Sequence, residues 1–180
     1  MYVGYGESVF STTKVDIQLP PCTMPFAVDD KHGAMRLNLD DWDKAGSDGY
    51  YASARFQSID EKVIKAAIEN SWDWFGKKLT ESEIRAMYKP LIVLNDTYGP
   101  SIKLKTNQDT IYFEAAVAPK KIAVLDIPRR AVVRTIVRPA YVHFMSGPAG
   151  RQFGLTLLVR QLAVVGTAET QTGDAWMFVD

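Results

Sequence analysis

The 180 residues are 47% hydrophobic, 23% charged and 11% aromatic, and 21 basic residues balance 21 acidic ones. That length and mixture describe one globular domain with a sizeable core; they exclude wholesale disorder, and no apolar run approaches the ~18 residues of a membrane helix. One cysteine (Cys22) cannot close an internal disulfide, two histidines make a structural zinc site untenable, and Met1 to Glu7 lack the basic-then-apolar layout of a secretory signal, so the expected setting is intracellular.

Residues 1–13 read as an irregular lead-in. Lys14-Val15-Asp16-Ile17-Gln18-Leu19 alternates polar and apolar, as a half-buried strand does, and Pro20-Pro21 stops it. Ala34 to Leu39 alternates in the same way, and the acidic, glycine-rich stretch Asp40 to Gly49 reads as a loop. Ser58-Ile59-Asp60-Glu61 has the form of a capping box and predicts a helix start. Val63, Ile64, Ala67, Ile68, Ser71, Trp72 and Phe75 then make one broad apolar stripe, ended by Gly76 as a left-handed cap. A second box, Thr80 to Glu83, opens a short helix that runs to about Tyr88 and is stopped by Pro90.

The remainder reads as strand. Ser101 to Lys105 puts Ile102 and Leu104 on one face and Lys103 and Lys105 on the other; Asn107-Gln108-Asp109 turns into Thr110 to Ala115. Ala131 to Phe144 and Phe153 to Val165 are long β-rich runs joined by the turn Ser146-Gly147-Pro148-Ala149-Gly150. The expected order is therefore strand, helical hairpin, strand, strand, long strand, long strand. A mainly β chain of that kind, α+β through its inserted hairpin, fits a five-stranded closed barrel, because closure removes the exposed edges of so short a sheet.

The residues do not assemble an enzyme site. His143 in its strand and His32 in its loop read as structural or surface residues, and Cys22 has no basic neighbour in sequence to activate it. Asp40, Asp41, Asp43 and Asp48 lack the spacing and closing glutamate of a calcium loop, so they read as a solvated acidic loop; a carboxylate-held magnesium or manganese enzyme is the remote alternative. No metal, cofactor or catalytic residue is expected.

Charge carries more information. Residues 1–100 hold 11 Lys/Arg against 15 Asp/Glu, whereas residues 101–165 hold 10 against 3. Either an anionic partner or a solvated basic surface accounts for that. The candidate phosphate contacts are Lys103, Lys105, Arg134, Arg138, Arg151 and Arg160, with Lys77 and Lys78 at the helix end as outer contacts. Aromatic residues are interleaved with them, and the candidates for stacking are Tyr112, Tyr141 and Phe153, with Tyr112 expected outside the barrel and Phe113 inside. Cations that follow phosphates and rings that stack on bases are what single-stranded nucleic acid requires.

This order of elements resembles the oligonucleotide-binding-fold single-stranded DNA-binding proteins of T7-like phages, as found in large DNA viruses of algae. Asn70-Ser71-Trp72-Asp73-Trp74-Phe75-Gly76-Lys77, Ile84 to Pro90 and Gly99 to Lys105 are similar to the algal-virus members, and Phe153 to Leu162 is similar to the family's closing strand. The resemblance spans about residues 10–166 and implies one domain over 1–166, with a helical insertion at about 58–88 that follows the first barrel strand, and a tail over 167–180. It implies sequence-independent single-stranded DNA binding in viral DNA replication, recombination or repair, within an infected cell, with no membrane partner. Family members end in a long acidic tail with a terminal aromatic; here Asp174, Trp176, Phe178 and Asp180 make a short version, which implies a partner-binding tail for viral replication proteins. A homo-oligomer is compatible with this reading. The rival is a virion structural or assembly protein that uses the barrel as a packing scaffold.

Overall fold

Alternation decides the architecture. In a computed structural model, which describes residues 15–29, 31–95, 99–115, 118–147 and 150–167, the alternating segments become strands that turn their apolar residues to one interior. The strands are β1 (Ile17–Gln18), β2 (Cys22–Thr23), β3 (Ala34–Asn38), β4 (Tyr88–Lys89), β5 (Ile92–Val93), β6 (Ser101–Lys105), β7 (Ile111–Glu114), β8 (Lys120–Lys121), β9 (Ala131–Gly147) and β10 (Gly150–Thr167). The helices are α1 (Asp48–Glu69), α2 (Ser71–Phe75) and α3 (Glu81–Met87).

Pairing runs β9–β2–β3–β6–β10 and returns from β10 to β9, so the sheet closes into a barrel, with β1 and β2 together forming its first wall. The β6–β10 seam is parallel and the other contacts of the ring are antiparallel. This is the mainly β, oligonucleotide-binding-like barrel with helical insertion that the pattern predicts. Leu37, Ile102, Leu104, Val133, Val137, Leu157 and Leu162 fill it, and α1 adds Phe56, Val63 and Ala67 to the same core.

Two expectations about connectivity are corrected. The helices lie between β3 and β6, after the second wall of the barrel rather than the first. Residues 111–114 are not a wall of the ring; β7 pairs with the far end of β10 and carries β8 on its outer edge. The second follows from the length of β10. Its register shifts at Thr156/Leu157, Val159/Gln161 and Val164/Gly166 mark bulges that bend it. One edge of the bent strand takes β4 at Phe153–Gly154, β6 at Leu158 and β7 at Gln161–Val164.

The helical start also differs. Ser47 caps α1 by accepting from the Tyr50 amide, so the cap lies eleven residues before Ser58, which falls within the helix. Nothing between Tyr50 and Gln57 breaks a helix, and Phe56 gains a buried position from the extension. The stripe from Val63 to Phe75 spans two helices, because the Asn70 side chain turns back to the Ala66 carbonyl, and Trp72, expected within it, is instead 68% exposed. Gly76 then ends α2 at φ 70°, and Thr80 and Glu83 form the expected reciprocal box on α3.

Two contacts fix the insertion on the barrel. Gly49 sits so close to the preceding loop that an added Cβ would lie 2.0 Å from the Asp40 carbonyl oxygen. Asp60, buried on α1, accepts from the Tyr88 hydroxyl at 2.6 Å and from the Leu91 amide at 3.2 Å. Burial outweighs those hydrogen bonds and pushes its carboxyl from 3.8 up to about 6.

Gly49→Ala should therefore lower the melting temperature by roughly 5 °C, since the clashing partner is backbone that has to shift. For Asp60 the folded state binds its proton more tightly than the unfolded chain does. Its contribution is fully present below about pH 4 and is lost as pH rises through about 6. Urea unfolding at about pH 4.5 and 7 should show a difference on the order of 2 kcal/mol that Asp60→Asn abolishes.

Candidate nucleic-acid interface

The barrel's outer face is set by the same alternation that fills its core. On β6, Ile102 and Leu104 are buried, so Lys103 and Lys105 point outward. Across the antiparallel β3–β6 ladder Arg36 stands opposite Lys103, and it donates to the Ser101 hydroxyl at 3.1 Å. Lys105 donates to the His32 carbonyl at 2.9 Å, which ties the loop before β3 to this face. Gly33 makes that approach possible: its φ is +54°, and a Cβ there would meet the Thr106 carbonyl oxygen at 2.4 Å.

β9 and β10 extend the face. Tyr141 lies opposite Thr156 and His143 opposite Gly154, while Phe144 opposite Phe153 turns to the other side. Tyr141 is 50% exposed. His143 is half-buried, hydrogen-bonded through Nδ1 to the Thr156 hydroxyl at 3.0 Å. Burial, and then the charges of Lys103 and Lys105, hold its imidazole below the ordinary value. The parallel pairing of Lys105 with Leu158 sets these lysines along the stretch of β10 that Tyr141 and His143 face from the other edge. Lys89 joins them, because its neighbour Tyr88 is buried opposite Phe153 and Lys89 pairs with Gly154 on the outer side. Among the described residues none of Arg36, Lys89, Lys103 and Lys105 forms an ion pair.

Other expected contacts are placed differently. Arg138 faces outward opposite Leu158, but its guanidinium grips both Asp16 oxygens at 2.7 and 2.8 Å, and the hydrogen bonds hold the Asp16 carboxyl below its usual range. Arg160, half-buried at a β10 bulge, adds its charge to the same aspartate. Arg134 is exposed but lines a separate cleft of about 370 Å³ with Asp48, Tyr51 and Arg55 of the α1 region. Arg151 donates to the Phe75 carbonyl at 3.4 Å and shares a second cleft of about 400 Å³ with Lys77, on the side of the hairpin opposite Tyr141; Lys78 is exposed nearby in sequence.

The aromatic expectations are partly overturned. Phe153 is 0% exposed and packs among Phe75, Tyr88, Trp74 and Phe144, with centroids 5.2–6.3 Å away, so it is a core residue and not a stacking platform. Tyr112 pairs with the buried Leu162 and packs on the core, so Phe113, next along β7, takes the outer side instead. Of the three rings only Tyr141 is displayed on the face. Arg36 was open to the alternation argument, since Met35 and Leu37 flank it. Lys89 and His143 carried no such signal, because their surroundings come from several strands. The tail residues Asp174, Trp176, Phe178 and Asp180 lie outside the described residues.

Cys22 is buried, donates to the Pro20 carbonyl, and is pushed up to about 12 by desolvation. Among the described residues no three His, Cys, Asp or Glu side chains converge to hold a metal, and no helix is long and apolar enough to cross a membrane.

Comparison with known proteins adds three findings. A family of unknown function, DUF5871, matches residues 43–180. No curated protein matches the sequence. Among solved structures, gp2.5, a single-stranded DNA-binding protein of bacteriophage T7, superposes with a TM-score of 0.55 at 12% identity, covering 90% of this chain and 92% of that one. The single-stranded DNA-binding protein of bacteriophage Enc34 gives 0.49 at 14% identity over 92% and 87% of the two chains, and its complex with single-stranded DNA gives 0.48 at 13% over 86% and 88%. The T7 likeness shows that the fold is shared.

Burial separates the roles of two of the three rings assigned to stacking. Phe153→Ala should cost about 3–5 kcal/mol in urea unfolding, as large core truncations do, whereas Tyr141→Ala should stay within about 0.5 kcal/mol.

Proposed function

We propose that this chain, which belongs to the DUF5871 family, is a single-stranded DNA-binding protein that holds unpaired strands, without regard to sequence, across the outer face of β3, β6, β10 and β9. The observation that carries this reading is the convergence there of Arg36, Lys89, Lys103 and Lys105, none of them ion-paired among the described residues, beside the exposed ring of Tyr141. The shared fold of a phage protein whose own name states single-stranded DNA binding supports it.

The chemistry follows from the groups. Ammonium and guanidinium cations attract phosphates and release their condensed counterions, a contribution that ignores base identity. A displayed tyrosine adds about 1–3 kcal/mol by stacking on a base, which a duplex cannot offer because its bases are already stacked on one another. Binding that favours the unpaired form pulls hairpins and duplex ends toward it by mass action, with no catalytic step. Roles in viral DNA replication, recombination or repair, within a cell infected by a large DNA virus of the algal kind, belong to the same proposal. So does recruitment of replication proteins through residues 174–180; the family resemblance of the sequence supports both.

The test is fluorescence anisotropy of a labelled thymidine oligomer of about 30 nucleotides, with a matched duplex beside it, at several salt concentrations. Tight, salt-sensitive binding that strongly prefers the single strand is expected. Lys103→Ala with Lys105→Ala should flatten the log–log salt slope by about 0.7 for each phosphate that is no longer neutralised. Tyr141→Ala should lower affinity and leave the slope in place. No binding even at low salt overturns the proposal and leaves the face as a packing surface of an assembly.

A further inference from the structure

A histidine among lysines is an unusual choice for a surface that merely needs positive charge, and at position 143 the structure gives that residue a specific setting. Its Nδ1 is held by the Thr156 hydroxyl. Gly154, directly across the ladder, clears the space beneath it: an added Cβ would lie 3.2 Å from the imidazole Cε1 and 3.3 Å from Nε2. A threonine hydroxyl both donates and accepts, so Thr156 can bond a bare Nδ1 or an Nδ1–H and keep the ring in one place in either protonation state. That leaves Nε2 for a second partner.

The charged and titratable groups of the face that holds His143 come from every strand in it. β6 supplies Lys103 and Lys105, whose charges disfavour the imidazolium. β4 supplies Lys89, and β3 supplies Arg36 opposite Lys103. β9 itself carries Tyr141 and Arg138, the latter neutralised by Asp16, and β10 contributes Arg160 near that aspartate. The loop before β3 brings His32, with its ring bonded to Asp29 at 2.8 Å and its carbonyl to Lys105. Nearly all the charge around the ring is positive, so burial and lysine repulsion keep it neutral in the free protein near neutral pH.

We propose that His143 is a phosphate-binding residue of this face, and that it takes up one proton from solvent as a DNA phosphate settles between it, Lys103 and Lys105. The inference rests on the proposed function and adds to it a contact and a linkage. A phosphate placed there offsets the two lysine charges and favours the imidazolium, which then gives a charge-assisted N–H···O bond. Coupling is reciprocal: what raises proton affinity is itself bound more tightly when the proton is present. Affinity for single-stranded DNA therefore rises as pH falls through the imidazole range.

The experiment compares wild type, His143→Gln and His32→Gln by anisotropy with the thymidine oligomer, from about pH 5.5 to about 8 at constant ionic strength. The ring resonances of both histidines are followed by NMR in wild type with and without the oligomer. Wild type should bind several-fold more tightly at the acidic end, approaching the tenfold limit that a shift of about one pKa unit on binding sets. His32→Gln should keep that dependence and His143→Gln should lose it, while the His143 resonance should titrate at higher pH once DNA is bound. Binding that is flat with pH, a dependence lost in His32→Gln instead, or a His143 titration unmoved by DNA would each overturn the inference and leave DNA binding standing. Absence of binding at every pH would overturn the underlying function. The wild-type resonance decides the matter even if His143→Gln does not fold.

Discussion

The ladder between β9 and β10 makes both the core and the candidate interface, because the two are opposite faces of the same strands. Phe153, Leu155, Leu157, Val159 and Leu162 of β10 turn inward, and Gly154 and Thr156 lie between them on the outer side. A slip of one residue would exchange the two sets, turning the apolar row outward and Gly154 and Thr156 into the core, so the register and the make-up of the outer face are specified together. The bulges extend this economy. By bending β10 they let one edge receive β4, β6 and β7 in turn, which carries Lys89, Lys105 and the base of the helical insertion to the same strand.

The placement of acidic groups explains how a chain of formal net charge zero presents a positive face. Glu61 and Glu81 are engaged by Arg85 on the helices, and Asp16 by Arg138 at the barrel's edge. Such exposed pairs contribute little to stability. Their consequence lies in distribution: carboxylates are held on the insertion and at the edge, and the outer face keeps cations without ion-pair partners among the described residues. A field of that kind steers an anionic polymer toward one side of the molecule, and salt weakens it within a Debye length of about 8 Å.

What was legible in the sequence divides along the range of the interactions involved. Gly76, the Thr80–Glu83 box and the outward lysines of Ser101–Lys105 were readable because each depends on neighbours within a few residues. Ser58 misled because its box is as good locally as the Ser47 cap; burial of Phe56, a long-range gain, extends the helix past it. Rings in the long strands were ambiguous for a different reason. Alternation gives a period but no phase, and each bulge resets the phase: Thr156 pairs with Tyr141 and Leu157 with Pro139, so parity counted from one end of β9 fails beyond Ala140. Tyr112 and Phe113 were exchanged on the same ground, since only the pairing of Tyr112 with Leu162 shows which of them meets the core. The setting of His143 is the extreme case, assembled from its own hairpin and from β4 and β6, which lie some forty residues or more earlier along the chain.

The aromatic cluster that removed Phe153 from the interface has its own part in it. The end of the β9–β10 hairpin runs past the ring of the barrel, where a lone two-stranded ribbon is at best marginally stable. Phe153 and Phe144, stacked at 6.0 Å, are gripped by Trp74 and Phe75 of α2 and by Tyr88 of β4, and Tyr88 is anchored in turn through its hydroxyl to the buried Asp60. The insertion thus braces the inner face of the ribbon, and the outer face, with Tyr141 and His143, is fixed before any ligand arrives. Ordering a mobile ribbon on binding would cost roughly 0.5–1.5 kcal/mol for each immobilised side chain, and a braced one avoids most of that. The helices thus stay off the candidate interface, and under the proposed function they would still set its affinity, through the rigidity of the strands that form it.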